Sequence, residues 1–192
     1  MPSETVAIVE HKTSWSADFQ IIATELRDVL GSIALGVDHI GSTAVPSLAA
    51  KNIIDIQVTV LRLDAAISEK LRVAGFSSCG EIVKRDHVPP GFEDREQDWT
   101  KLFFTQRTGD RRSNIHVRQL DKPNRRYALL VRDYLRANGS VAEAYGELKK
   151  RLALALSNSD CYSVVKDPVA DIIYFSAESW ALKTRWQPPG AA

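Results

Sequence analysis

The chain has 192 residues, 44% of them hydrophobic and 26% charged, with a formal net charge of +1. That balance suits one globular domain with a sizeable core, or a domain with a helical extension. It lacks the basic excess expected of a duplex-binding protein. The two cysteines, Cys79 and Cys161, form neither a CxxC pair nor a disulfide framework. The N-terminal segment has acids where a signal peptide needs basic and apolar regions. No apolar run approaches the ~20 residues of a membrane span. A cytoplasmic protein that contacts no membrane is expected.

Apolar residues Trp15, Phe19, Ile22, Leu26 and Val29 recur at three- and four-residue steps, which predicts a helix over 15–30 with Ser14 as N-cap and Gly31 as its stop. Strands follow at 35–40 and 53–60, then a helix at 64–74 with Asp64 as N-cap and a third strand at 77–84. Residues 85–98 form a charged loop containing Pro89, Pro90 and Gly91, polar enough to stay unpacked and long enough to carry function. Segments 99–105 and 114–120, separated by Gly109-Asp110, predict a hairpin. From Pro123 the period lengthens, and helices are expected at 124–138, 141–156 and 169–184. Tyr162, Tyr174, Phe175 and Trp180 fall at helical spacing and are expected to be buried. The last residues are expected to fray. Strands and helices first, helices last, argue for an α+β fold: a core over 1–122 and a C-terminal helical region over 123–186 packed on it as one compact unit.

The least generic stretch is HIGSTAVPSLAAKNIIDIQV, residues 39–58. Alternation along the strand puts Asp55 on one face with Gln57, while Ile54, Ile56 and Val58 take the other. An unpaired carboxylate on such a strand is costly, so it calls for a metal, an arginine, backbone donors or an open cleft. Upstream, Gly41-Ser42-Thr43 follows a strand. A glycine there lets backbone amides approach an anion, and the two hydroxyls add donors. Phosphate at the turn and a cation at Asp55 would together make a nucleotide site. The chain has no GxxxxGKS loop, GxGxxG, GxSxG or HExxH motif.

The segment VDHIGSTAVPSLAAKNIIDIQV resembles the GrpB family pattern E-H-[IV]-G-S-T-[AS]-V-P-G-L-A-A-K-P-[IV]-I-D-[IV]. NIHVRQL resembles its H-x-L-H-V strand, and RRYALLVRDYLRANGSVAEAYGELKKRLA resembles its helical pair. The resemblance covers about residues 8–180. It implies a nucleotidyltransferase-like fold of the DNA polymerase β type, a mixed β-sheet flanked by helices. Asp38, Ser47, Asn52 and Asn114 depart from the family pattern, and Gln57 stands where the wider superfamily carries a second strand acid. That leaves a two-cation clamp short by one carboxylate, while a single cation completed by a triphosphate remains compatible.

The resemblance implies an enzyme that uses ATP or another nucleoside triphosphate with Mg²⁺ or Mn²⁺. It would transfer a nucleotidyl group to a small-molecule acceptor, or activate that acceptor for ligation. Asp55, His116 and His39 are the catalytic candidates. Asp55, Gln57 and His116 are the metal candidates. Gly41, Ser42, Thr43, Lys51 and Arg118 are the nucleotide-binding candidates. His116 alternates onto the face of Asn114 and Arg118, and an imidazole suits Mn²⁺ better than Mg²⁺; a sheet-surface hydrogen bond is its plainer role. His39 could orient the turn, bind a metal or act as a base. Arg107, Arg111 and Arg112 at the hairpin tip, and Arg132 with Arg136 on a helix, are phosphate clamps or structural ion pairs. His87 and the acids of the 85–98 loop could recognise an amine, supply a metal ligand or simply face solvent. Two alternatives stay open: a nucleotide- or anion-binding module without turnover, and a metal-dependent small-molecule enzyme. Family members also resemble a domain fused to dephospho-CoA kinase, which makes a role near coenzyme A metabolism conceivable.

Overall fold

The computed structural model describes residues 6–78, 80–156 and 159–190. Helix α1 (Ser14–Leu30) buries Trp15, Phe19, Ile22, Ala23, Leu26 and Leu30. It stops at Gly31, whose φ of 57° is open to glycine and whose N–H donates to the Arg27 carbonyl. Strands β1 (Gly36–Ile40) and β2 (Ile54–Val60) flank the Gly-Ser turn. Helix α2 (Ala65–Val73) is capped by Asp64, whose carboxylate accepts the Ile67 N–H. Then come β3 (Val83–Arg85), the single turn α3 (Glu96–Trp99), β4 (Thr100–Thr105) and β5 (Ser113–Gln119). Helices α4 (Pro123–Ala137), α5 (Gly139–Ala155) and α6 (Ser159–Thr184) close the chain.

The five strands form one mixed sheet in the order β1-β2-β5-β4-β3. Only the β2–β5 pair is parallel. One face carries Ile54, Ile56, Val58, Ile115, Val117, Leu102 and Phe104 and packs under α1 and α2 as the main core. Fully burying each such side chain stabilises by ~1.5–3 kcal/mol. The other face is polar and lies under α4. Two smaller apolar clusters join α4, α5 and α6: one around Leu48, Leu135, Tyr145 and Ile173, the other around Leu130, Tyr174 and Ala177. The expected α+β architecture, a mixed sheet flanked by helices with a helical C-terminal region, is the one observed.

Several local expectations change. Ser14 is the first residue of α1 and not its N-cap, which is Thr13 with no side-chain capping bond. The strand expected at 77–84 shrinks to β3 and a single bridge between Ser77 and Thr105. Ser78 instead donates to the carbonyls of Gly80 and Glu81, a local bond that competes with the ladder; Cys79 lies outside the described residues. The helix expected at 169–184 starts at Ser159 and runs through Pro168. Tyr162 and Tyr174 are buried, whereas Phe175 is 42% exposed.

Candidate functional site

The register of the sheet sets the site. Asp55 pairs with Ile40 on one side and Asn114 on the other. Gln57 pairs with Asp38 and His116, and Thr59 with Gly36 and Arg118. Side chains at paired positions share a face, so Asp55, Gln57, Asn114, His116 and Arg118 all rise on the α4 side. Above them lies a cavity of about 380 Å³. Gly41, Ser42, Thr43 and Lys51 border it, with Asp55 and His116 from the sheet, Tyr145 and Lys149 from α5, and Tyr162 and Lys166 from α6. Further along the strands it reaches Arg118, Asp86, His87 and Trp99.

The Gly-Ser turn leans on the strand acid. Gly41 has φ 68°, and a Cβ built there would stand 2.5 Å from Asp55 Oδ2. Both the backbone angle and the close approach exclude a side chain. Asp55 keeps 30% of its side chain exposed. Its Oδ1 accepts Asn114 Nδ2 at 2.9 Å, and His116 Nε2 stands 3.9 Å away, too far for a hydrogen bond. Burial alone would raise the Asp55 pKa; His116 and Asn114 outweigh it and hold the carboxyl below its ordinary value. Burial, reinforced by Arg118 and Lys101 and opposed by Asp55, lowers His116 to about 4. His116 is therefore a neutral imidazole near pH 7, and its Nδ1 has no partner among the described residues.

Three lysines from different parts of the chain line the cavity that the turn borders. Lys51 precedes β2 and sits 4.6 Å from the centroid of the Tyr162 ring. Lys149, 3% exposed, donates to Ser42 Oγ at 2.8 Å and to the Ala49 carbonyl. Burial, then the charge of Lys166, lowers Lys149 to about 7, with Asp55 opposing. Lys166 comes from α6 and meets Asp167 at 3.4 Å. Sequence reasoning missed Lys149 and Lys166, and it counted Asp86 only among the acids of the 85–98 loop. The signal for Lys149 lay in YGELKK: Tyr145 and Lys149 are four apart, hence on one helix face.

Not every candidate reaches the cavity. His39 lies on the opposite sheet face, stacked on Phe19 with centroids 4.7 Å apart, and its Nε2 is 3.0 Å from Thr43 Oγ1. Burial lowers it to about 4. It orients the turn, and a catalytic or metal role is corrected on position. Gln57 is 0% exposed, its Oε1 accepts Arg118 Nη1 at 2.8 Å, and its amide donates to the Arg125 carbonyl. With a guanidinium on that oxygen, Gln57 is not a metal ligand. Arg118 also clamps Asp86 through Nε at 2.8 Å and Nη2 at 3.0 Å. Lys101 and Asn124 donate to the same carboxylate. Arg118 thus borders the cavity but spends its fork on Asp86 and Gln57, which corrects the expectation of a phosphate clamp. The Thr43 hydroxyl is engaged with His39 Nε2, so of the two turn hydroxyls Ser42 alone meets a lysine. Four other candidate arginines make structural contacts: Arg132 holds Asp133 and the His39 carbonyl, Arg136 the Ala44 carbonyl, Arg111 Asp18, and Arg107 Asp110.

A divalent cation fits this donor set once. Asp55 offers a half-buried carboxylate and His116 a neutral ring nitrogen on the same face. Among the described residues no group of three His, Cys, Asp or Glu converges for a closed protein cage. The residues suit one ion completed by ligand oxygens, and a two-ion clamp does not fit. Among the described residues no helix is long and apolar enough to cross a membrane.

Fold and site together define an α+β protein with a cavity lined by lysines and built on a Gly-Ser turn and a strand carboxylate. The model of the GrpB protein family matches residues 5–175. The chain belongs to the GrpB family. The crystal structure of GrpB from Enterococcus faecalis is 31% identical, with a TM-score of 0.73 over 94% of this chain and 100% of that one. A dephospho-CoA kinase of Mycolicibacterium paratuberculosis is 34% identical over 95% of this chain and 48% of its own length. The UPF0157 protein YqkA of Bacillus subtilis is 31% identical over 79% of this chain and 41% of its own. The chain thus spans about half the length, or less, of these two curated relatives.

Proposed function

We propose that the protein binds a nucleoside triphosphate in this cavity and, with one divalent cation, transfers its nucleotidyl group to a small-molecule acceptor. The observation that carries the reading is the contact of Gly41 with Asp55 in a cavity lined by three lysines. Lys149 is buried and has only neutral hydrogen-bond partners, while Lys51 and Lys166 are half-buried. Buried ammonium groups are costly without a counter-charge, and a polyphosphate supplies one.

Lys51, Lys149 and Lys166 would hold the phosphate chain, with Ser42 kept in place by Lys149. Asp55 and His116 would hold the cation, which when bound neutralises charge on the reacting phosphate. The chain's own residues orient the phosphates and exclude water; the aromatic walls Tyr145, Tyr162 and Trp99 dry the site and strengthen its electrostatics. The test follows pyrophosphate release from labelled ATP with Mn²⁺ or Mg²⁺ and mixed small acceptors. Release that is lost in Asp55→Asn supports the proposal. Release unaffected by that change sinks it.

One observation favours a second reading, a nucleotide- or anion-binding module. The Gln57 oxygen, at the position of the second strand acid, is taken by Arg118. Under that reading a nonhydrolysable triphosphate raises the melting temperature, Lys149→Met abolishes the rise, and no acceptor yields pyrophosphate.

A further inference from the structure

A hydroxyl acceptor needs a base, and neither histidine expected to act as one is placed for it. His39 faces the other side of the sheet, and His116 points Nε2 towards Asp55 while its Nδ1 is shut inside the protein. One other imidazole borders the cavity, that of His87, on the loop between β3 and α3. Its Nε2 is 2.8 Å from Asp171 Oδ2 of α6. Asp171 is buried, and its second oxygen accepts the Tyr127 hydroxyl from α4 at 3.3 Å. An ionised carboxylate only accepts, so Nε2 carries the ring proton and Nδ1 is the basic nitrogen. The His87 side chain is 49% exposed, open to whatever enters. Its backbone is fixed by its neighbour: the Asp86 carboxylate is clamped by Arg118, and the Asp86 N–H donates to the Trp99 carbonyl at 2.8 Å. A rigid loop, an oriented tautomer and a buried counter-charge are what a general base requires.

We propose that His87, oriented by Asp171, is the general base that takes the proton from the acceptor's hydroxyl group. The role rests on the transfer reading above. As the acceptor oxygen bonds to the α-phosphorus, its proton passes to His87 Nδ1. The bond from that phosphorus to the bridging oxygen breaks, and pyrophosphate leaves with the electron pair. Asp171 stabilises the imidazolium that forms. The acceptor is accordingly an alcohol, bound at the end of the cavity away from the Gly-Ser turn.

The test compares two acceptor types with ATP and Mn²⁺: a pool of small polyols, which need a base, and hydroxylamine, which attacks without one near pH 7. His87→Ala is expected to slow polyol transfer by ~10²–10⁴-fold, to leave triphosphate affinity and hydroxylamine transfer near the unsubstituted level, and to regain polyol transfer with added imidazole. His87→Gln, which can still hydrogen-bond Asp171, should be as slow as His87→Ala. Recovery in His87→Gln, or equal loss with both acceptor types and no imidazole rescue, would show a clasp tying the loop to α6 and overturn the base. Asp55-dependent release undiminished in His87→Ala overturns the base and leaves the transfer reading standing. An unsubstituted protein that binds triphosphate yet releases no pyrophosphate overturns both.

Discussion

Gly41 and Asp55 are in contact across the site, the bare Cα of one against the carboxylate of the other, with 2.5 Å from a built Cβ to Oδ2. An alanine there must move Asp55 and also adopt a left-handed backbone, a strain of roughly 1–3 kcal/mol. Gly41→Ala is therefore expected to lower stability by about that amount and to weaken Mn²⁺ binding through displacement of Asp55. Urea unfolding and metal titration check the two effects. A variant as stable as the parent with unchanged metal affinity would contradict the packing.

Gln57 and Arg118 make the second prediction. Gln57→Glu restores the acid of the wider superfamily pattern, but the new carboxylate meets Arg118 Nη1 where the amide oxygen now sits, 2.8 Å away. A guanidinium already in hydrogen-bond contact holds that charge more readily than a cation has to displace it. The variant should fold and still bind one Mn²⁺ per chain. A second bound ion, counted by calorimetry or metal analysis, would show that Arg118 gives way.

These two pairs show what was legible in the sequence. Periodicity located α1, α2 and the β4–β5 hairpin to within a residue or two, because their buried faces are regular and the helix ends are marked by Asp64 at the start of α2 and Gly31 at the stop of α1. Alternation put Asp55 with Gln57 on one face of β2 and His116 with Asn114 and Arg118 on one face of β5, and the parallel register joins the two sets. Alternation was silent about partners. Whether Gln57 faces a metal or an arginine depends on how β2 and β5 lie side by side, a relationship 61 residues apart in the chain. His39 shows the same limit: the sheet face it occupies is filled by Phe19 of α1, which no local pattern reveals. Lys149 and Lys166 escaped because a lysine on a helix looks solvated until tertiary packing buries it. His87 and the loop acids were noticed, but their roles stayed open because a charged loop without periodicity has no face to read.

Asp86 anchors that loop, and its ion cluster predicts acid sensitivity. Burial would raise its pKa, but Arg118 and then Lys101 hold the carboxyl far below the usual range. A carboxyl lowered on folding stabilises above the unfolded value, about 3.9, and that contribution is lost as pH falls through the folded value. Asp86→Asn should be clearly less stable than the parent at pH 7, with the gap narrowing as pH drops below roughly 4. Arg118→Met, which leaves Asp86 half-compensated in a buried place, should cost about 3–5 kcal/mol. Denaturant melts across pH measure both. A gap independent of pH would show that the charge of Asp86 is not what stabilises the loop.

Lys149 carries the opposite pH signature. Its folded value of about 7 lies below the ordinary lysine value, so burying it charged opposes folding below pH 7, and that penalty is relieved as pH rises through 7 towards the unfolded value. An anion bound beside it reverses the balance by favouring the ammonium form. Binding of a nonhydrolysable triphosphate should then take up a proton above pH 7, and affinity should fall by up to about tenfold per pH unit there. Calorimetry in buffers of differing ionisation enthalpy reads the proton directly. Lys149→Met should bind more weakly at pH 6 and lose most of the slope. A slope that survives the substitution would place the titrating group elsewhere, and an affinity that rises with pH would mean that Lys149 does not face the anion.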